Sequence, residues 1–389
     1  MTRRRRPSRF EWFALILLGI VVPCGSASAT LTGKLARSYG ERLGPLADSF
    51  GREVGRSLPV ISASPGLVYD YDFTANVYRR RLSLEGEAYV EGADTVGKGH
   101  WNFKLAYQYV HFDRFGGRDL HDLSDRTPIV VQGGRPVLSV PATDIDVAVH
   151  EATAALVYGV TDRLDVSLAV PLIASSLDVD ETIRVFKFEG GSFTRSGSFG
   201  DASTGIGDIV LRSKLTLLGT ESLHASAGLL LSLPSGSKED FQGVGSTAVE
   251  PSLFVSYAGF DLGRSVALRA HVNLSMLFDA DDVSNSEGRW GSAIDLVFGN
   301  RGIVAVALLG RHAVGDLFPS SAVSLPRRGG PQPLFGFDGS RPDYVDLSIG
   351  GRLVVWRDSV IAFANVRIPL LDRGLVTDPI PLIGIEVVL

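Results

Sequence analysis

Residues Ala155 to Ile173, ALVYGVTDRLDVSLAVPLI, hold two short arms of nearly alternating apolar residues around the polar knot Thr161-Asp162-Arg163. Successive side chains of a strand point to opposite faces, so the stretch predicts a hairpin with one oily face. Whether that face meets a soluble core or lipid decides the fold.

The pattern recurs along the chain. In SVALRAHVNLSMLF, Val266, Leu268, Ala270, Val272, Leu274 and Met276 share one face, while Arg269, His271, Asn273 and Ser275 share the other. Comparable runs fall at 100–113, 144–158, 164–174, 206–218, 223–233, 248–257, 265–278, 290–299, 303–314, 343–356, 360–369 and 381–389. They make about twelve strands of ~9 to 14 residues, the length a tilted strand needs to cross a bilayer, against about 5 or 6 in soluble sheets. After the N-terminus no uninterrupted apolar run approaches ~18 residues, which excludes a helical membrane protein.

The connections alternate in length. Those near 159–163, 219–222, 258–264, 300–302 and 357–359 are short; those near 114–143, 175–205, 234–247, 279–289, 315–342 and 370–380 are long. Tight turns at one rim and extended loops at the other are the asymmetry of bacterial outer-membrane barrels. Two strands fit the alternation badly. In 144–158, Ile145, Val147 and Val149 are in one phase and Ala152, Ala154, Leu156 and Tyr158 in the other, which suggests a β-bulge near His150-Glu151. Strand 303–314 is apolar on both faces, so its inner face meets a plug or the strand is misassigned.

The first residues, MTRRRRPSRFEWFALILLGIVVPCGSASA, have an Arg-rich start, an apolar run from Trp12 to Val22 and Ala27-Ser28-Ala29. That layout predicts a secretory signal peptide over 1–29, the run being too short to span a bilayer. The leader carries five Arg and one Glu, so the net charge of −5 becomes −9 once it is removed, and the single cysteine, Cys24, leaves with it. Disulfides and thiol chemistry are then absent, and so is the basic face that nucleic-acid binding requires.

Residues 30–99 differ from the rest. Leu35, Tyr39, Leu43, Leu46, Phe50 and Val54 recur at spacings of three and four, predicting an amphipathic helix within a periplasmic or lumen-plug segment. The barrel proper is expected over 100–389.

Chemistry-bearing motifs are sparse. His224 and His271 lie on polar strand faces without metal-ligand spacing. The loop GVGSTA, Gly243 to Ala248, precedes a strand where a phosphate loop needs a helix. Acidic clusters at Asp119–Asp125, Asp178–Glu181 and Asp279–Asp282 fall in or beside long loops and suit solvation, with Ca²⁺ or bridged lipopolysaccharide as the sharper alternative. No G-x-S-x-G elbow occurs. No cofactor, metal or catalytic residue is expected. If the apolar faces meet lipid, Lys104, Gln108, Arg212, Lys214, Glu250, Arg269, His271, Asn273, Asp295, Arg352 and Arg367 line the lumen. Such a mixed-charge interior either pairs internally or serves permeation.

YGVTDRLDVSLAVPL (Tyr158 to Leu172), GIGDIVLRSKLTL (Gly205 to Leu217) and LLLSLPSGS (Leu229 to Ser237) resemble recurring motifs of an outer-membrane barrel family, the transporters named for the phenol-degradation meta-pathway. TVGKGHWNFKLAYQYVHFDRF, Thr95 to Phe115, is similar to the first strand region of some members. The resemblance runs from about residue 60 to the end. It implies passive uptake of small hydrophobic or aromatic molecules and transfers no catalytic residue.

The sequence therefore predicts an all-β fold: a transmembrane, antiparallel, up-and-down barrel of about twelve strands with a short, partly helical N-terminal segment. The expectation is a monomeric, non-enzymatic, outer-membrane channel. Its partners would be outer-membrane lipid and lipopolysaccharide, the barrel assembly machinery and a small-molecule solute. The alternatives are a structural or adhesive barrel without transport and a lipid-acting barrel enzyme.

Overall fold

The computed structural model describes residues 30–37, 44–58, 60–63, 67–72, 77–82, 88–124, 129–132, 135–187, 191–263, 265–299, 301–317, 324–327, 330–333, 337–356 and 359–389. The expected leader over 1–29 lies outside the described residues.

Twelve staves close into one antiparallel barrel. They are β1 (Trp101–Phe115), β2 (Arg135–Thr161), β3 (Leu164–Lys187), β4 (Ser192–Ile206 and Ile209–Gly219), β5 (Leu223–Leu233), β6 (Ala248–Gly263), β7 (Val266–Asp279), β8 (Glu287–Phe298), β9 (Gly302–Ala313), β10 (Asp343–Trp356), β11 (Val360–Pro369) and β12 (Ile380–Val388). Each stave pairs with its neighbours in sequence. Closure comes from β12 against β1, in register from Leu382↔Gln108 to Val388↔Asn102. A closed barrel satisfies every wall amide internally, which lipid demands. The outer surface is apolar accordingly: Val166, Leu168, Leu215, Leu229, Leu274, Ile294, Val306 and Ile385 are all exposed. At the short-turn rim Trp101 stacks on Tyr158 with ring centroids 4.3 Å apart, and Tyr257 meets Phe260 edge-on at 5.2 Å. These outward rings form the aromatic girdle of an interfacial belt.

Several strand boundaries differ from expectation: β2 begins at Arg135 rather than 144, β6 runs to Gly263 rather than 257, and the largest change lies between β3 and β4. The presumed loop 175–205 is mostly strand, because β3 continues to Lys187 and the outer arm of β4, Ser192–Ile206, returns along it from Phe186↔Ser192 to Leu172↔Ile206. The Gly and Ser content that suggested a loop belongs to the outer arm of β4, which is largely exposed, while the facing part of β3 still turns Leu177 and Val179 inward onto the mouth. β4 breaks at Gly207-Asp208, and only its second run pairs with β5.

The bulge expected near His150-Glu151 is absent. Register runs unbroken through both residues, against β1 as Tyr109↔His150 and Gln108↔Glu151 and against β3 as His150↔Ala174 and Glu151↔Ile173. Ile145, Val147, Val149, Glu151, Thr153, Ala155 and Val157 all point inward and are buried. The apolar phase changes because the surroundings change, not because the strand kinks.

What changes them is the N-terminal segment. It includes α1 (Leu31–Arg37) and α2 (Gly44–Ser57), within the stretch expected to be an amphipathic helix; residues 38–43 between them lie outside the described residues. Leu31, Leu35, Phe50 and Val54 pack against inward-facing Val110, Phe112, Val147, Val149 and Leu177, and against Phe241, Leu317, Phe337 and Leu375 from the long loops. Phe50 is wedged edge-on between Phe115 (5.1 Å) and Phe241 (5.8 Å). Both helices therefore sit inside the long-loop mouth. Residues 67–72 and 77–82 pair as a small hairpin. Residues 88–99 then descend the lumen: Val90 packs on Ala293 and Ala307, and Val96 on Val157, Val297, Ile303 and Ile361. This explains the doubly apolar β9, whose inner face meets Val90 and Val96. At the foot a Cβ on Gly159 would fall onto the backbone carbonyl of Gly97, so Gly159 has no room for a side chain, and the Gly99 N–H donates to Gly159 O at 2.8 Å.

Candidate lumenal site

Counting by twos along each stave puts all eleven predicted residues on the inner face, but the barrel does not gather them into one site. At the closing seam Lys104 donates to Ser62 O (2.7 Å), Gln108 to Glu151 (2.9 Å) and Arg352 to Glu386 (3.1 Å). Across the lumen Arg212 donates to Ile61 O (2.9 Å), and Lys214 to Gly92 O (3.0 Å) with Glu91 at 3.4 Å. Arg367 holds Asp346 at 2.8 Å. Glu250 accepts from Arg289 (2.9 Å) and from Ser275 Oγ (2.6 Å). Asn273 faces a cavity with no hydrogen-bond partner for its Oδ1 among the described residues.

Arg269 sits opposite Asp295 in register, and His271 lies between Ser256 Oγ (2.9 Å from Nδ1) and Asp295 (3.2 Å from Nε2). A Ser, a His and an Asp in contact invite a nucleophile reading. Three features oppose it. All three side chains are fully buried, the Ala93 N–H donates to Ser256 Oγ at 3.0 Å, and His271 Nε2 lacks hydrogen-bond geometry toward any acceptor. With Ser226 Oγ donating to Ala93 O, the group clamps the lumenal strand to the wall.

A further polar network among the described residues was not predicted. Arg311 Nη1 donates to Arg56 O (2.9 Å) at the end of α2, where a cation also complements the helix dipole. Its guanidinium lies 4.0 Å from the Tyr344 ring and 3.6 Å from Glu287, Tyr344 donates to Glu53 (3.1 Å), and Arg289 binds both Glu287 and Glu250. Buried ions persist only when paired in this way. Glu287 and Arg289 were legible, since they continue the inward phase of Asp295; Glu53 and Arg56 were not, because nothing in a helix sequence says that it enters a barrel. The long loop between β5 and β6 is tied to the rim by Asp208, whose carboxylate accepts from Gly236 N (3.0 Å) and Val244 N (2.8 Å) and whose pKa burial raises.

Two adjoining cavities remain beside the N-terminal segment. One of about 210 Å³ lies along β4 to β9 and is lined by six cationic side chains and four carboxylates; one of about 100 Å³ lies above it, under the loop that carries Gln242 and Val244. Arg56, Leu58, Val60, Leu230 and Arg289 line both.

Among solved structures the chain is similar to an outer membrane channel from Pseudomonas putida F1, at 14% identity over 76% of this chain and 98% of that one, with a TM-score of 0.46. It is similar to the NanC porin at 9% identity (74% and 98% covered, TM-score 0.38). It also matches the Ralstonia pickettii toluene transporter TbuX at 8% identity (75% and 90% covered, TM-score 0.33). No curated protein matches the chain. Residues 141–291 match the family model described as "Putative MetA-pathway of phenol degradation", so the staves from β2 into β8 carry the family pattern that the hairpin motifs resemble.

Proposed function

We propose that this chain is an outer-membrane passive channel for small hydrophobic or aromatic molecules, exported by a cleaved leader and working without a catalytic step. The observation that carries the proposal is the pair of adjoining cavities inside a closed, lipid-compatible barrel. A purely structural barrel has no need of connected space beside a lumenal segment. The family match and the names of the similar transporters agree with this choice of cargo.

One observation favours the rival reading of a sealed structural barrel: the lumenal segment is anchored along its length, from Arg311 on Arg56 O to Ser256 on Ala93 N. Reconstitution into planar bilayers and swelling of liposomes in isosmotic small solutes separates the two. A channel gives discrete currents and solute-dependent swelling; a folded barrel silent in both assays supports the sealed reading.

A further inference from the structure

The neck between the two cavities has a mixed character. Arg56 and Arg289 contribute guanidinium groups, and Leu58, Val60 and Leu230 contribute an apolar wall. Val60 is 43% exposed although it lies inside the barrel, so its side chain faces open cavity. The two cations are not equally satisfied. Arg289 spends its donors on Glu287 and Glu250. The Arg56 side chain is only 6% exposed, and its Nη1 reaches Glu53 at 3.4 Å. Its Nη2 lies 3.7 Å from Asp279 and has no hydrogen-bond partner among the described residues. A buried, charged donor without an acceptor costs free energy until something accepts from it.

The carboxylates around the larger cavity do not offset this. Glu250 is held by Arg289, Asp346 by Arg367 and Glu91 by Lys214; Asp165 stands in register opposite Lys214 and accepts from Val96 N at 2.8 Å through Oδ2, its Oδ1 having no hydrogen-bond partner among the described residues, and no ion pair links any of the four to Arg56. The neck thus offers an unspent guanidinium edge beside an oily surface. A cation passing it meets two guanidiniums, and a neutral apolar solute leaves Arg56 Nη2 unsatisfied. A molecule with an apolar body and a carboxylate head satisfies both, because the planar guanidinium matches a carboxylate in shape and charge.

The geometry points to a binding site for small hydrophobic carboxylates at this neck, with Arg56 accepting the head group and Leu58, Val60 and Leu230 the body. The inference rests on the channel reading and narrows its cargo from hydrophobic molecules in general to those bearing an anionic group.

The test is single-channel recording of the full-length mature protein at neutral pH, with benzoate as probe and benzyl alcohol as its uncharged counterpart. In a potassium chloride gradient the wild-type barrel should prefer chloride to potassium several-fold, and benzoate should reduce the chloride current where benzyl alcohol does not. Arg56→Gln should lose both effects, and Arg56→Lys should keep the anion preference. Heat-dependent gel mobility establishes that each variant is folded. A conducting barrel that prefers potassium, responds equally to both probes or keeps its anion preference in folded Arg56→Gln overturns the carboxylate site and leaves the channel intact. A folded wild-type barrel that never conducts removes the channel reading, and this inference with it.

Discussion

From Val137 to Gly159 β2 holds one register against β3, yet the two halves of that run differ in polarity. In the half nearer the short turns, Ala152, Ala154, Leu156 and Tyr158 face outward and Glu151 and Thr153 face inward. In the other half Ile145, Val147 and Val149 face inward, while Asp144 and Asp146 face out and bind His121 (3.0 Å) and His111 (3.2 Å). The first half has lipid outside and a mixed lumen inside, polar at Glu151 and Thr153 and apolar at Val157 against Val96; the second has water outside and α1 and α2 inside. A strand's apolar face therefore reports which side excludes water, and one strand can answer differently along its length.

This comparison can be broken in four ways. The largest effect is expected inside the mouth, where Phe50→Ala empties the space between Phe115 and Phe241 and should cost ~3–5 kcal/mol of unfolding free energy in urea titrations of the folded barrel. An unchanged midpoint would mean that the inward apolar residues of β2 have some other partner. Leu168→Arg comes next: it places a charge on the exposed outer face of β3 and should cost about 2–4 kcal/mol in lipid vesicles. Tyr158→Ala removes the stack on Trp101 and should cost ~0.5–1.5 kcal/mol, together with a shift in Trp emission. The smallest effect belongs to Thr182→Arg, on the part of β3 that pairs with the outer arm of β4, where the change should stay within about 0.5 kcal/mol. Were Thr182→Arg to cost as much as Leu168→Arg, the outer hairpin would have to lie in lipid and the contrast between the two halves would fail.

Most of the wall was legible in advance because lipid imposes a simple rule on every stave, apolar outward and polar inward, and that rule is local. Val166, Leu168 and Leu172 followed it, as did Asp165 and Ser167 on the inner face. Misjudgement came where a stave had a different neighbour. The flip in β2 resembled a bulge, and Ser192–Ile206, exposed over its first half, resembled a loop; for β9 the alternative of a plug against its inner face held. For the lumenal groups, phase alone assigned the inner face to Arg212 and Lys214, but their partners Glu91 and Gly92 come from a segment more than a hundred residues earlier. Spacing along a strand carries no information about such distant contacts.

Period-2 patterning against a fixed solvent was enough to specify the barrel: the number of staves, the alternation of short and long connections and the faces that meet lipid. What occupies the lumen, how Arg56 and Arg289 come to flank one neck, and why Ile145 and Leu156 point to opposite sides of one strand emerge only in the folded molecule. Those outcomes depend on α1, α2 and residues 88–99 threading the barrel, and a contact between segments far apart in the chain appears only when the whole chain is folded.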